Sequence, residues 1–267
     1  MAWQSHVYLA GRERAALSVA CRRDDAPVAC RVVSGLVTSE PAAGSGAEGS
    51  PAPPPVAVTF ADDGAGADRL AGDGVSTALL APGEQGFSGF TGPLRVTAEI
   101  EAGAESTSPE RGGVTFALLY TAEVPATFTG AVRERLVDGS LELCAGLSVR
   151  EPGRYLLDAR VDDAHGETVA FLSSDVFLPE GAREACFVLF GKLVHDEVAA
   201  APFTLRDLEG FRILEDTFPD RHTIPTLEGI VHKTHSYSPQ DFSSSDWESE
   251  TKARHVTALR AAASDTD

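Results

Sequence analysis

The chain has 267 residues, 43% of them hydrophobic, which is enough for one large domain or for two ordinary domains with real cores. Its formal net charge of −18 repels phosphate backbones and anionic membrane surfaces, so we expect no nucleic-acid partner. No run of about 20 apolar residues is present, so the sequence predicts no transmembrane segment. The N-terminal residues also lack the apolar stretch of a signal peptide.

The first predicted element is a β-ribbon over residues 1–38, whose alternating segments are too short to bury a core alone. Cys21 and Cys30 lie within it. A hairpin centred between Asp25 and Ala26 would place the two cysteines directly opposite each other, near the separation that a disulfide requires. The alternative is a pair of reduced, buried thiols.

A linker is predicted next, over residues 39–55, because Gly, Ser, Ala and Pro dominate this segment. We expect it to join two folded parts of the chain. Residues 56–128 then contain several alternating strand candidates separated by polar loops, which predicts a first β-sandwich.

An unusual loop of Asp and Gly residues lies within this first sandwich, at residues 62–74. Its four carboxylates belong to Asp62, Asp63, Asp68 and Asp73. Asp and Gly both favour tight turns, so one interpretation is a chain of Asx turns without a metal. The other is a calcium site formed by the four carboxylates, since Ca²⁺ takes about six to eight oxygen ligands. The spacing is not that of an EF-hand, because no glutamate stands at the twelfth position.

A second β-sandwich is predicted over residues 129–237, where short alternating runs are closed by turn signals. In one run, Tyr155, Leu157, Ala159 and Val161 are predicted to face the core. On two different runs lie Cys144 and Cys186, which either form a second disulfide or remain buried thiols. Residues 238–267 are predicted to form a loop-rich tail that contains a short helix. The sequence therefore predicts an all-β chain of tandem immunoglobulin-like antiparallel β-sandwiches.

Two parts of the chain together resemble a known family. The segment DDGAGADRLAGDGVST resembles the Asp-Gly signature at the start of bacterial choice-of-anchor X domains. The segments GRYLLDARVDDAHGETVAF, GAREACFVLFGKLVHD and PFTLRDLEGFRILED resemble the β-sandwich that often follows it. The resemblance covers about residues 56–247. It implies an accessory domain of a secreted or cell-surface protein, without an established activity. One departure is that such proteins carry a signal peptide, which is not visible here.

Catalytic chemistry finds little support in the sequence, which has no G-x-S-x-G, H-E-x-x-H, P-loop or G-x-G-x-x-G motif. We therefore expect a protein that is not an enzyme. A metal-dependent hydrolase would have to use a few residues near the C-terminus, namely His222, His232, His235, Asp216, Asp220 and Asp241. In a strand, His232 and His235 would face opposite sides, so solvated histidines are the simpler interpretation.

The favoured function is therefore an accessory, adhesion or interaction module in the extracellular space or cell envelope. Its partner would be a protein or a surface polymer. The even number of cysteines favours an oxidising compartment. The alternative is a cytoplasmic protein with a structural or assembly role, and a hydrolase is the least favoured class.

Overall fold

The computed structural model describes residues 1–40, 52–103, 110–246, 248 and 250–264. Strands dominate it, and they form two successive β-sandwiches, each built around its own hydrophobic core. The predicted all-β fold of tandem sandwiches is therefore confirmed. Within the described ranges, no helix is both long enough and apolar enough to cross a membrane.

The first sandwich packs a four-stranded sheet against a five-stranded sheet. The four-stranded sheet contains β1 (Ala2–Gln4), β3 (Ala15–Arg23), β4 (Ala26–Val28) and β7 (Val75–Leu80). The five-stranded sheet contains, in spatial order, β2 (Tyr8–Ala10), β9 (Glu110–Thr121), β8 (Gly92–Ala102), β5 (Cys30–Ser39) and β6 (Val56–Ala57). Strand β2 pairs in parallel with β9, and the other strand pairs of this sandwich are antiparallel.

Alternation of side chains places one face of each strand in the core. In β8, Leu94, Val96 and Ala98 are buried between the sheets, whereas Arg95 and Thr97 are exposed. This period of two is the pattern of a sheet with one face in the core and one in water.

The second sandwich packs a three-stranded sheet against a four-stranded sheet, with antiparallel pairing throughout. The three-stranded sheet contains β10 (Ala126–Val137), β11 (Ser140–Val149) and β14 (Gly181–Leu189). The four-stranded sheet contains, in spatial order, β13 (Thr168–Leu178), β12 (Gly153–Asp162), β15 (Thr204–Ile213) and β16 (Arg221–Lys233). The inward orientation predicted for four residues of β12 is confirmed, since all of them are buried, namely Tyr155, Leu157, Ala159 and Val161.

The predicted domain boundaries need correction at the N-terminus. Residues 1–38 are not a separate β-ribbon, because β3 and β5 within them pair with β7 and β8 of the first sandwich. These N-terminal strands are too short to bury a core alone, and they bury one by pairing with β7 and β8. Residues 39–55 connect β5 to β6, which pair in the same sheet, so they do not link two folded parts. Of this segment, residues 41–51 lie outside the described part of the chain. The second sandwich begins with β10 at Ala126 rather than at residue 129.

The predicted register of the hairpin between Cys21 and Cys30 is wrong, although the structure joins the two cysteines in a disulfide. Asp24 and Asp25 both have positive φ angles, of 50° and 63°, and form a two-residue turn. The hairpin is therefore centred between them, and Cys21 lies opposite Val28. Cys30 belongs to β5 in the facing sheet, so this disulfide connects the two sheets of the sandwich.

The other two cysteines are joined within one sheet of the second sandwich. Cys144 on β11 and Cys186 on β14 lie directly opposite each other, with a Cα–Cα distance of 3.9 Å, and form a disulfide. Two disulfides in one chain favour an extracellular or otherwise oxidising environment.

The two sandwiches contact each other through β2 and β9 of the first and β16 of the second. Glu13 bridges them, because one carboxylate oxygen accepts a bond from the Thr226 N–H at 2.7 Å and the other accepts from Ala10 N–H at 2.8 Å. The guanidinium of Arg221 lies over the rings of Tyr8 and Phe211, at 5.2 and 4.2 Å from their centroids. These contacts orient one sandwich relative to the other.

The C-terminal part contains a 15-residue helix, α2 (Glu250–Ser264), after the short helix α1 (Gly191–Asp196) between β14 and β15. The predicted start of the tail at residue 238 is too early. Phe242, which directly follows the 3₁₀ turn Pro239–Asp241, is buried in the second core against Phe203 and Tyr237. The residues up to Phe242 therefore belong to the second sandwich rather than to a separate tail.

Candidate functional site

The Asp-Gly loop is built on hydrogen bonds from backbone N–H groups to carboxylates. Asp62 accepts bonds from three backbone nitrogens across the base of the loop, those of Gly72 at 2.6 Å, Asp73 at 3.2 Å and Gly74 at 2.9 Å. This one side chain therefore closes the loop by joining its two ends. Bonds of this kind hold a carboxylate in place without a cation.

The other three carboxylates of the loop cap shorter turns. Asp68 is buried and accepts a bond from Gly64 N–H at 2.6 Å. Two Asx turns complete the loop, from Ala65 N–H to Asp63 and from Val75 N–H to Asp73, both at 2.9 Å. Asx turns at Asp63 and Asp73 therefore form part of the loop, and the longer bonds to Asp62 and Asp68 close it.

Three of the four predicted calcium ligands converge in space. Oxygen atoms of Asp62, Asp68 and Asp73 all lie within 4.8 Å of one another, whereas Asp63 is not part of this group. Carboxylate oxygens are the donors that Ca²⁺ prefers, but three carboxylates supply only part of its usual shell. Calcium binding therefore stays a prediction, with Asp63 removed from the set that the geometry favours.

A cleft of about 630 Å³ lies between this loop and the outer face of the four-stranded sheet. Its floor follows a row of directly paired residues, Trp3 on β1, Ser18 on β3 and Thr77 on β7. Ser18 and Thr77 are buried and their hydroxyl oxygens lie 3.1 Å apart. Ala16 and Val75 line the floor beside them. The volume lies within the usual range for ligand pockets, about 300–1,000 Å³.

The position of the loop over this face is fixed by the backbone. Ala61 and Thr77 exchange two hydrogen bonds, of 3.1 and 2.8 Å, as an isolated β-bridge. Ala61 therefore extends the row Trp3, Ser18 and Thr77 by one residue, and the loop begins directly after it. Arg69 and Asp73 project from it as exposed lining residues of the cleft. Trp3 keeps 44% of its surface exposed.

Two of the residues proposed for a metal-dependent hydrolase, His232 and His235, instead form hydrogen bonds to Glu134. His232 Nε2 lies 2.5 Å from one oxygen of Glu134, and His235 Nδ1 lies 2.6 Å from the other. The hydroxyl of Tyr237 donates to Glu134 as well, at 2.8 Å. Strand β16 ends at Lys233, so alternation no longer separates the two histidines. The expectation of a solvated histidine is wrong for His232, whose side chain is 26% exposed, whereas His235 is solvated as expected, with 85% of its side chain exposed.

Glu134 is 5% exposed and is held as a carboxylate. Burial raises its pKa, but the bonds from His235 N–H, His232 and Tyr237 outweigh burial and bring the pKa to about 2. Sequence reasoning missed Glu134, because its partners lie about a hundred residues away.

The remaining candidates do not join this cluster into one centre. His222 lies opposite Arg212 on β15, and burial lowers its pKa. Asp220 pairs with Arg221, and Asp241 accepts a bond from Ser238 N–H. Asp216 has a positive φ of 56° in the turn before β16. In the described part of the chain, the predicted hydrolase residues therefore lie at separate places and do not form one centre.

Trp3 was the other residue that the sequence could not single out. The two tryptophans of the chain are far apart in sequence, so neither predicted an aromatic surface. Only the pairing of β1 with β3 brings Trp3 into the same cleft as the Asp-Gly loop at residues 62–74. The sequence indicates only that the N-terminal segment could pair with a later strand. It does not specify the register of that pairing, which is what places Trp3.

Comparison with known proteins shows similarity in fold alone. No protein-family model matches the chain, and no curated protein matches it. A DUF4785 family protein from Legionella pneumophila is similar over 86% of this chain and 55% of its own, with 12% identity and a TM-score of 0.51. A glycosyl hydrolase family 2 member from Bacteroides cellulosilyticus covers 82% of this chain and 29% of its own, with 13% identity and a TM-score of 0.22. The chain spans about half the length or less of these two structures.

Proposed function

We propose that the chain is a non-catalytic binding module of a secreted or cell-surface bacterial protein. The observation that carries this proposal is the cleft that an exposed aromatic side chain, Trp3, lines together with residues of the polar Asp-Gly loop. A concave site with aromatic and polar lining on a rigid sheet is suited to recognition. The resemblance to choice-of-anchor X domains agrees with this role.

Several features of the structure support this proposal over a hydrolase. Of the side chains that the sequence nominated for catalysis, His232 and His235 bond to Glu134, and Asp220 pairs with Arg221. The two disulfides agree with a secreted or envelope location. The cytoplasmic alternative predicts reduced thiols, so thiol titration of the chain isolated from its source without reductant separates the two. We expect no free thiol, and four free thiols would contradict export.

Binding is tested by depletion of the purified chain from solution by washed bacterial cells. We expect the wild type to be depleted and Trp3→Ala to remain in solution. Phe171→Ala is the matched control, because Phe171 is 81% exposed on β13 of the second sandwich, away from the cleft. Equal depletion of both variants would place binding elsewhere on the chain. No depletion of the wild type would contradict the role at a cell surface.

A further inference from the structure

The cleft beside Trp3 has the chemical character of a site for a sugar ring. An indole that is 44% exposed presents a flat apolar face, and an aromatic face packs well against the C–H groups of a ring. The residues paired with Trp3 on the floor are small, since Ser18 follows on β3 and Ala16 lines the cleft beside it. Small floor residues leave room for a ring to lie against the indole.

The Asp-Gly loop gives the lining of the cleft both a hydrogen-bond acceptor and hydrogen-bond donors. Asp73 is an exposed lining residue whose Oδ1 accepts only from Val75 N–H among the contacts described, so the carboxylate has acceptor capacity left. Arg69, also exposed, supplies N–H donors in a fixed fork. A hydroxyl group both donates and accepts, so neighbouring hydroxyls of a saccharide match a carboxylate beside a guanidinium.

The negative charge of the chain favours uncharged saccharides over anionic ones. The net charge is −18, and Asp68 and Asp73 line this cleft, with an oxygen of Asp62 within 4.8 Å of theirs. A polyanionic polymer would be repelled by this field, and a protein partner with an acidic surface would be repelled as well. An uncharged saccharide bears no such cost.

We propose that the cleft binds a neutral saccharide, with the ring stacked on Trp3 and its hydroxyls bonded by Asp73 and Arg69. This inference rests on the proposed function and adds the ligand class to it. The bound sugar would form part of a polymer at a cell surface, since the cleft is open to solvent along the sheet.

The test uses the fluorescence of Trp3 as a direct reporter. The chain has two tryptophans, so Trp247→Phe leaves Trp3 as the sole one. This variant is titrated with neutral oligosaccharides of glucose, N-acetylglucosamine, mannose and xylose, and with heparin as the anionic probe. The buffer contains about 1 mM CaCl₂, within the range at which extracellular modules bind calcium. We expect a saturable change in emission with at least one neutral oligosaccharide and none with heparin.

Affinity variants then locate the contacts by calorimetry with the oligosaccharide that binds. Trp3→Ala is expected to weaken binding about tenfold or more, and Trp3→Phe less, because it keeps an aromatic face. Asp73→Asn keeps the acceptor for Val75 N–H but removes the charge, and it is expected to weaken binding about fivefold. Phe171→Ala should bind as the wild type does.

The outcomes separate this inference from the proposed function. If Trp3→Ala abolishes binding to cells while no neutral oligosaccharide changes the emission or competes, the module role stands and the ligand class is wrong. Binding of heparin alone would also overturn the inference. If oligosaccharide binding is the same in Trp3→Ala and the wild type, the site lies elsewhere. Binding to oligosaccharides without binding to cells would leave the inference in place and contradict the proposed surface role.

Discussion

One carboxylate site in the first sandwich and one in the second are held by different kinds of hydrogen bond. In the first, Asp62 and Asp68 accept bonds from backbone N–H groups that lie four to twelve residues away in sequence. In the second, Glu134 accepts bonds from side chains and backbone about a hundred residues away. Local bonds of the first kind shape a loop, whereas those of the second kind fix tertiary structure. Removing a partner should therefore cost more at Glu134 than in the Asp-Gly loop.

The two disulfides also differ in the sequence distance that they span, and removing them is expected to give the largest change in the free energy of unfolding. Cys144 and Cys186 are 42 residues apart, whereas Cys21 and Cys30 are 9 apart. In the chain-entropy account, the longer closed loop stabilises by about 4 kcal/mol and the shorter by about 2.5 kcal/mol. We expect the Cys144→Ala/Cys186→Ala pair to lower the free energy of unfolding more than the Cys21→Ala/Cys30→Ala pair. Urea unfolding of both variants measures this, and a reversed order would show that loop length does not govern their contributions.

Replacing Glu134 tests the contrast at a single side chain. Glu134→Ala leaves the donors of His232, His235 and Tyr237 without their buried acceptor, so we expect a loss of about 3 kcal/mol. Glu184→Ala is the matched control in the same sheet, because Glu184 pairs with Arg133 at the surface. That exposed pair should contribute about 0–1 kcal/mol. Similar losses in both variants would contradict a central role for Glu134.

Calcium tests whether the local carboxylates of the first sandwich do more than form turns. Binding to the folded state alone would stabilise it by about 2.7 kcal/mol at a hundredfold excess over Kd. Melting is compared in EGTA and in millimolar CaCl₂, for the wild type and for Asp68→Ala. We expect a rise in Tm in the wild type that Asp68→Ala abolishes. An unchanged Tm in the wild type would leave only a chain of Asx turns. A shift that survives in Asp68→Ala would place the cation elsewhere on the acidic surface.

Acid should weaken the second sandwich through Glu134. Its pKa is about 2 in the folded chain, against an ordinary value of 4.5, so the folded state favours the charged form. This contribution is complete above about pH 5 and is lost as pH falls toward 2. Between pH 6 and pH 3 we expect a loss of about 2 kcal/mol that is absent in Glu134→Ala. Other carboxylates contribute to both proteins, so the difference in urea midpoints between the two isolates Glu134.

The contrast also explains how far the sequence could predict the molecule. Alternation along β12 was sufficient to place Tyr155 and Leu157 in a core, because burial of one face follows directly from a period of two. The turns of the Asp-Gly loop were likewise within reach, because both partners of each bond lie close together in sequence.

Long-range pairing was not accessible in the same way. The N-terminal strands gave no indication that they would pair with β7 and β8, so they were interpreted as a separate ribbon. The turn at Asp24 and Asp25 was misplaced by one residue, since Asp25 belongs to the turn in either register. The Glu134 cluster depends on β10 and β16 being at adjacent edges of two facing sheets, which only the assembled sandwich determines.

Two buried tyrosines provide the smallest and most closely matched comparison. The hydroxyl of Tyr120 in the first sandwich donates to the Gly11 carbonyl at 2.8 Å, across 109 residues. That of Tyr155 in the second donates to the Glu151 carbonyl at 2.6 Å, only four residues away. Burial raises the pKa of both phenols, that of Tyr155 to about 12, so both hydroxyls keep their protons at neutral pH.

Replacing each tyrosine by phenylalanine removes one hydrogen bond and keeps the buried ring. We expect each substitution to cost about 1 kcal/mol, because a neutral bond contributes that much on average. Urea unfolding followed by circular dichroism also shows whether the sandwiches unfold separately. If they do, Tyr120→Phe shifts only one transition and Tyr155→Phe only the other. The contacts of Glu13 and Arg221 across the junction favour a single transition that both variants shift equally and additively. Two separate transitions would show that these contacts orient the sandwiches without coupling their stability.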